Sequence, residues 1–358
     1  MIKESLFNLD FAELPIWQEQ SYRRKQLATW LYDKGLSNFE QMSDAPKAWR
    51  SELEANHRIS PFQGYERFAS EDGSVRYLFK LDDGKQTEAV YMPYHNRKTL
   101  CISSMVGCPA ACAFCATGAY GFGRNLSSAE IIGQIVMVAL AEGFSPREIR
   151  NVVLMGMGEA LLNYNHAIAA IKRMIDAEML DMSPRRITLS TVGLPKQIMR
   201  LAHEELPLVL ALSLHAPDEE TRRQIIPSAH AHSIPDIMAA LCYWQEKIGR
   251  RITIEYTMLA GVNDHLWQAD ALIKLLKDLQ VHINLIPFNA WQGAGFCSSS
   301  PPHLKAFENR LSKANLSVSV RFSRGQDAGA ACGQLALQQL GKALDPKLPA
   351  TINLAGGL

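Results

Sequence analysis

Cys108, Cys112 and Cys115 fall within eight residues, in the spacing C-x3-C-x2-C, directly after the first of a run of strand-like segments that alternate with helical ones. This placement constrains the fold strongly. Closely spaced thiolates need a loop held at a strand end, and a strand–helix repeat supplies such loops along one edge. From Thr99 onward, strands are expected at Leu100–Ser103, Val152–Met155, Arg186–Ser190, Leu208–Leu214, Thr253–Met258, Ile283–Pro287 and Ser317–Arg321. Ser127-x-x-Glu130 is a capping box that opens one intervening helix, and Gly143 suits its end. Asn263–Leu279 and Pro302–Ala314 are expected to be two more. The class is α/β, with a parallel sheet or a barrel short of eight strands.

The chain before Thr99 has a different pattern. Residues 1–60 are expected to be helical, with Arg23–Gly35 placing Leu27, Trp30 and Leu31 on one face and Ser43–Glu54 forming a second helix. Ser74–Leu81 and Thr87–Met92, joined through Asp83–Gly84, are expected to form a β-hairpin. The expected division is 1–60 helical accessory region, 61–97 hairpin connector, 98–322 core and 323–358 C-terminal segment. Gly293–Pro302, rich in Gly, Ser and Pro, is expected to be a mobile loop.

Composition narrows the functional classes. At 358 residues and 47% hydrophobic the chain can bury a large core, which excludes a disordered protein or a disulfide scaffold. The balance of 37 Lys+Arg against 36 Asp+Glu gives no basic field, so a nucleic acid would be held by local patches and shape. Arg23, Arg24, Lys25, Arg124, Arg185 and Arg186 are the candidates. The first twenty residues lack the apolar stretch of a signal peptide, and the run Ile131–Ala141 is too short to span a bilayer. A cytoplasmic protein without membrane contact is expected. In that reducing compartment, clustered thiols point to metal or catalysis.

Three thiolates can bind an iron–sulfur cluster or zinc. No fourth Cys or His lies within the loop; the nearest are Cys101 and His95. Three ligands on a four-iron cluster leave one iron open to a small molecule. Gly156 and Gly158 follow a strand, where glycine lets a ligand approach the backbone, and Glu159 beside them can accept hydrogen bonds from an ammonium group. Ser190, Ser213, His215 and Asn289 also fall at or just past strand ends, so their side chains converge on one polar site.

With Phe114 before its last cysteine, the cluster spacing resembles that of the radical S-adenosylmethionine (SAM) enzymes. The resemblance extends further. Cys101-Ile-Ser-Ser, Met155-Gly-Met-Gly-Glu159-Ala-Leu-Leu-Asn163, Leu189-Ser-Thr-Val-Gly193, Ser213-Leu-His215, Asn284-Leu-Ile-Pro-Phe-Asn289 and Ala330-Ala-Cys-Gly-Gln-Leu335 occur in order. Together, from about Tyr22 to Leu335, they resemble the radical SAM RNA (adenine) methyltransferases. One branch modifies adenine C2 in 23S rRNA and tRNA. A sister branch, the chloramphenicol–florfenicol resistance methyltransferases, modifies C8. The resemblance implies a partial (β/α)6 radical SAM barrel with an N-terminal helical domain and a β-hairpin connector.

It also implies roles. Cys108, Cys112 and Cys115 would hold a [4Fe-4S] cluster. Gly158, Glu159, Ser190, Ser213, Leu214, His215 and Asn289 would contact SAM. Adenine C2 is electron-poor and cannot readily attack the SAM methyl, so a carbon radical must add to it. Cys332 would carry the methyl as S-methylcysteine. Cys101 would release the product and leave a Cys101–Cys332 disulfide, and Glu88 would accept the ring proton. Cys242 and Cys297 match no family cysteine and are assigned to packing. The partners implied are an RNA substrate, an external electron donor and a thiol reductant, with the chain a monomer. Ala160, Ala290 and Ala328 stand where the C2 branch usually has proline, proline and isoleucine, and Gln292–Ser300 matches no family loop. The reaction class survives these departures; the nucleotide and ring carbon are less constrained, and C2 is favoured over C8. A radical SAM enzyme acting on a small molecule or peptide would not need Cys332, and a non-enzymatic RNA-binding protein would not need the cluster spacing.

Overall fold

The computed structural model describes residues 3–9, 21–95, 97–291 and 293–336. Two short strands, β1 (Glu4–Ser5) and β2 (His57–Arg58), pair in parallel beside the helices Ser21–Thr29 and Lys47–Asn56. The first helix begins close to the expected start, then passes into a wider turn at Trp30–Lys34 and stops at Gly35, whose φ of 75° suits glycine. Leu27, Leu31 and Leu53 are buried in the same apolar core as the later helices.

One ten-stranded sheet organises the rest. Its chain-order strands are β3 (Gly64–Ala69), β4 (Val75–Lys80), β5 (Gln86–Tyr94), β6 (Arg97–Cys101), β9 (Asn151–Leu154), β10 (Ile187–Thr191), β11 (Val209–Ser213), β12 (Ile252–Met258), β13 (Val281–Pro287) and β14 (Ser317–Val320). The strands β3 to β6 are antiparallel, and from β6 through β14 every pairing is parallel. Every strand expected from the alternation is present. The expected hairpin is there too, as two strands of an antiparallel extension of the main sheet. Strand β3 was not expected: Gly64–Ala69 is mostly exposed and carries no apolar alternation. The two remaining strands, β7 (Met105–Gly107) and β8 (Phe122–Asn125), form a separate small ribbon.

Parallel strands are covered on their faces, which explains their near-continuous apolar runs. The helix Ser128–Ala141 shows the fit. Ser127 and Glu130 close the capping box, Ile131, Ile132, Ile135 and Val136 are buried, and Gly133 is small because a Cβ there would sit 2.3 Å from Pro61. No helix among the described residues is long and apolar enough to cross a membrane. Gly293–Pro302 departs from expectation. Ser298 bridges Leu259, the Cys297 carbonyl accepts from Ala260 N, and Ser299 Oγ donates to Asp264 at 2.7 Å. Its composition marks an irregular path, but long-range hydrogen bonds hold that path in place.

Candidate active site

The parallel strands end on one edge, and their following loops enclose a cavity of about 350 Å3. The three clustered cysteines open into it, as do Cys101 and Cys332.

The cluster loop runs between β7 and β8, and its path is set by backbone. Gly107 has φ of 71°, and a Cβ there would lie 1.7 Å from the Gly121 carbonyl oxygen. A Cβ at Gly118 would lie 2.8 Å from Cys112 backbone atoms. Cys108 N donates to Gly121 O, Ala113 N to Ile225 O and Ala116 N to Gly333 O, at 2.8–2.9 Å. Burial pushes the Cys108 thiol up to about 12, raises Cys115, and raises Cys112 well above the ordinary thiol value with help from its two thiol neighbours. Among the described residues no three His, Cys, Asp or Glu side chains are close enough to share a single metal ion. Thiolates around one zinc lie about 3.8 Å apart. Three thiols on one loop, opening into one cavity, are a soft donor set that suits an iron–sulfur cluster, each at its own corner.

The β9 loop forms the next wall. Gly158, at φ 112°, passes so close to the β6–β7 turn that a Cβ would meet Met105 and Ser104 at 2.7 Å. Glu159 is buried and lines the cavity. Burial lifts its carboxyl to about 7, against hydrogen bonds from Val192 N at 2.7 Å and Leu161 N at 3.1 Å. Its remaining lone pairs can accept an ammonium group. Ser190 and Ser213 hydroxyls pair at 3.2 Å. His215 has φ of 58°, and its Nδ1 accepts from Thr257 N at 2.9 Å. Burial, with Arg222 nearby, lowers it to about 3, so it stays neutral with its proton on Nε2.

Asn289 also lines the cavity, but its amide is used inside the chain. Nδ2 donates to the Cys332 carbonyl at 2.9 Å and to Ser323 Oγ at 2.8 Å, while Oδ1 accepts from Gln326 at 3.0 Å. Asn289 therefore positions the loop that carries Cys332. That loop is strapped to the β3–β4 turn. Asp72 accepts from Gly325 N at 2.9 Å and from Arg324, Asp327 accepts from Ser70 and from Glu71 N, and Arg76 donates to Ala328 O at 2.8 Å. Cys332 is open to the cavity but enclosed by its walls, which pushes its thiol up to about 11, while the Arg321 guanidinium opposes the shift. Cys101 is pushed up to about 12 by burial and by Cys332, again opposed by Arg321.

Two expected site residues are not at the cavity surface. Leu214 is fully buried and contributes backbone bonds only. Glu88 is also fully buried, ion-paired with Arg76 at 3.3 Å, and its carbonyl accepts from Ser103 Oγ. It shares a face of β5 with Val90 and Met92, which do line the cavity, but lies beneath the floor. All seven cysteines are free, so the Cys101–Cys332 disulfide is not a standing bond of the fold. Cys242 and Cys297 are exposed, which corrects their assignment to packing.

The basic residues also need sorting. Arg124 is held by Asp83 and Glu130, both at 2.7 Å, and Arg24 by Glu178 at 2.9 Å. Arg185 and Arg186 precede β10, at the sheet edge opposite the cavity. They cannot touch a nucleotide at the thiols. Arg321, Arg222 and Asp72 were not singled out from sequence. Arg321 could have been, because it follows a strand end; the other two act across large chain separations that leave no local pattern.

Comparison with known proteins gives a consistent answer. Residues 102–273 match the model of the radical SAM superfamily, and residues 6–59 match that of the ribosomal RNA large subunit methyltransferase N-terminal domain. The chain is 58% identical over 319 residues to a probable dual-specificity RNA methyltransferase RlmN of Thermus thermophilus, covering 89% of this chain and 90% of that protein. Its counterpart in Deinococcus deserti is 55% identical, covering 90% and 94%. The crystal structure of a radical SAM methyltransferase from Sphaerobacter thermophilus superposes with a TM-score of 0.87 at 36% identity, over 92% of this chain and 98% of that one.

Proposed function

This chain belongs to the RlmN-type radical SAM RNA methyltransferases, and from that premise we propose that it methylates C2 of adenosine in 23S rRNA, with tRNA as a second substrate. It is a SAM-dependent enzyme with a [4Fe-4S] cluster. The observation that carries the reaction class is the meeting of five thiols in one cavity, three on the cluster loop and two, Cys101 and Cys332, outside it; the choice of C2 rests on the likeness to the dual-specificity relatives.

Cys108, Cys112 and Cys115 are the cluster ligands. Gly158, Glu159, Ser190, Ser213 and His215 bind SAM, with Leu214 and Asn289 holding the surrounding backbone. Bound there, the cluster and SAM supply a methyl group and a carbon radical. Cys332 gives up its thiol proton and carries the methyl; Arg321 steadies the thiolate. The acceptor assigned to the ring proton is Glu88, which lies beneath the cavity floor and is paired with Arg76. Cys101 then attacks the Cys332 sulfur. Cys101 acts as the thiolate: its sulfur–sulfur bond to Cys332 forms as the sulfur–carbon bond breaks, the released carbon keeps that electron pair and takes up a proton to complete the methyl, and an external thiol reductant restores both thiols. A low-potential external donor supplies the electron. The enzyme works as a monomer in the cytoplasm.

The test is anaerobic reconstitution with iron, sulfide, SAM and unmodified rRNA, read by nucleoside mass spectrometry. We expect 2-methyladenosine; 8-methyladenosine would move the chain to the resistance branch. Cys332→Ala should abolish methylation and keep its iron. Cys101→Ala should accumulate a covalent enzyme–RNA adduct visible on a denaturing gel. Normal turnover by Cys101→Ala would refute the release step.

A further inference from the structure

Arg222, in the helix Glu219–Ile225, is only 1% exposed, and its partners are all neutral. Nε donates to Leu214 O at 3.3 Å and Nη2 to Val192 O. Nη1 is buried with no hydrogen-bond partner among the described residues. No carboxylate among them lies within ion-pair distance. Glu219, at the start of the same helix, bonds Ile234 N and lies 3.5 Å from Arg223. A buried, uncompensated cation is costly. A fold retains one where an anion is due to arrive.

What faces it is the cluster loop. Ala113 N, next to Cys112, donates to Ile225 O on the helix that carries Arg222, and Ile225 belongs to the apolar cluster against which Cys112 and Cys115 pack. The second face of the guanidinium is bonded to the loops after β10 and β11, which form the SAM side of the cavity.

We propose that Arg222 is the cationic partner of the iron–sulfur cluster: its unpaired Nη1–H donates to the sulfur at the Cys112 corner and makes one-electron reduction of the cluster easier. Positive charge and hydrogen bonds to sulfur stabilise the more negative, reduced state. In that step one electron passes from a low-potential external donor to the cluster. The donor is oxidised by one electron, no proton moves and Arg222 remains protonated. The inference rests on the three loop cysteines being the cluster ligands.

The experiment uses the full chain, reconstituted anaerobically, with iron content measured first. A wild-type protein that takes up no iron would overturn the cluster assignment itself and is thereby told apart from failure of this proposal. Midpoint potentials then come from titrations followed by electron paramagnetic resonance. Arg222→Gln should be at least tenfold harder to reduce, a shift of about 59 mV to more negative potential. Arg222→Lys keeps the charge but not the paired carbonyl bonds, and should stay near wild type. A wild-type potential in Arg222→Gln, or an equal shift in both variants, would mean that Arg222 only ties two loops together. A measurement without variants covers the case in which they do not fold. Wild-type protein carrying 15N-arginine should show a 15N coupling in pulsed resonance spectra of the reduced cluster, and its absence would overturn the proposal.

Discussion

The two loops that bring thiols to the cavity are built in opposite ways. The cluster loop between β7 and β8 takes its shape from backbone: two glycines where no Cβ fits, one main-chain bond across its own base and main-chain bonds to two other segments. The loop carrying Cys332 takes its position from side chains, chiefly Asp72, Asp327, Arg324, Arg76 and Asn289. One loop must hold a fixed set of three thiols. The other must present a sulfur that reacts, accepts a group and gives it up. The difference teaches that geometry set by backbone is reserved for the cofactor, while the reacting sulfur is held by contacts that charge and protonation can change.

Damage to the backbone-built loop should have the largest effect. Gly107→Ala places a methyl against the Gly121 carbonyl at a φ of 71°; loss of the brown colour and of most bound iron is expected, as for Cys112→Ala. If Gly107→Ala bound iron normally, the loop would be more pliant than its contacts require. An intermediate effect is expected from Glu159, which touches the backbone of two cavity loops. Its folded-state value, about 7, lies above the ordinary carboxylate value of 4.5. Between these two pH values the folded chain holds a proton that the unfolded chain has lost, so stability of the cluster-free protein falls as pH rises across that window. The full loss is about 3 kcal/mol. Glu159→Gln should flatten this slope in denaturant melts between pH 4.5 and 7.5, and an unchanged slope would reject the assignment.

The smallest effect belongs to the strap. Burial alone would raise Asp72, but bonds from Ser74, Gly325 and Ser70 hold it well below the usual carboxylate range, and bonds from Ser70 and Glu71 lower Asp327. Groups with depressed values stabilise the fold above their unfolded value and lose that contribution as pH falls through the folded one. The strap should therefore persist at every pH above the carboxylate range. Asp72→Asn should cost about 1 kcal/mol or less, since the pair is partly exposed. It should slow methyl loading of Cys332, measured by intact mass, without changing iron content. Equal loss of iron would erase the distinction between the loops.

The sequence carried the parallel strands because a strand buried on both faces must be apolar along its length, and it carried the cluster loop because its chemistry is local. Strand β3 was hidden by its exposure, which removes the apolar signal. The anchored loop at 293–302 was hidden because glycine and serine content records backbone freedom and not the distant groups that hold it. Arg185 and Arg186 were read as RNA contacts from charge alone, and only the strand direction shows that they lie away from the cavity, where β10 begins. Arg222 sits in a run of charged residues, Glu219-Glu-Thr-Arg-Arg, where nothing distinguishes the sealed cation from its exposed neighbour Arg223.

The strap also sets an order of assembly. Asp72 and Arg324 are 252 positions apart, so on a ribosome the β3–β4 turn waits for nearly the whole sheet before its partner emerges. The parallel strands through β13 are made earlier and can fold first, while the cluster loop still waits for its bonds to Gly333 and Leu335. Cys332 is then brought beside Cys101 by the final clasp, once the cofactor-binding edge already exists. A nascent chain thus spends most of its synthesis with these two thiols unable to meet, and the pair is formed only on a molecule ready to use it.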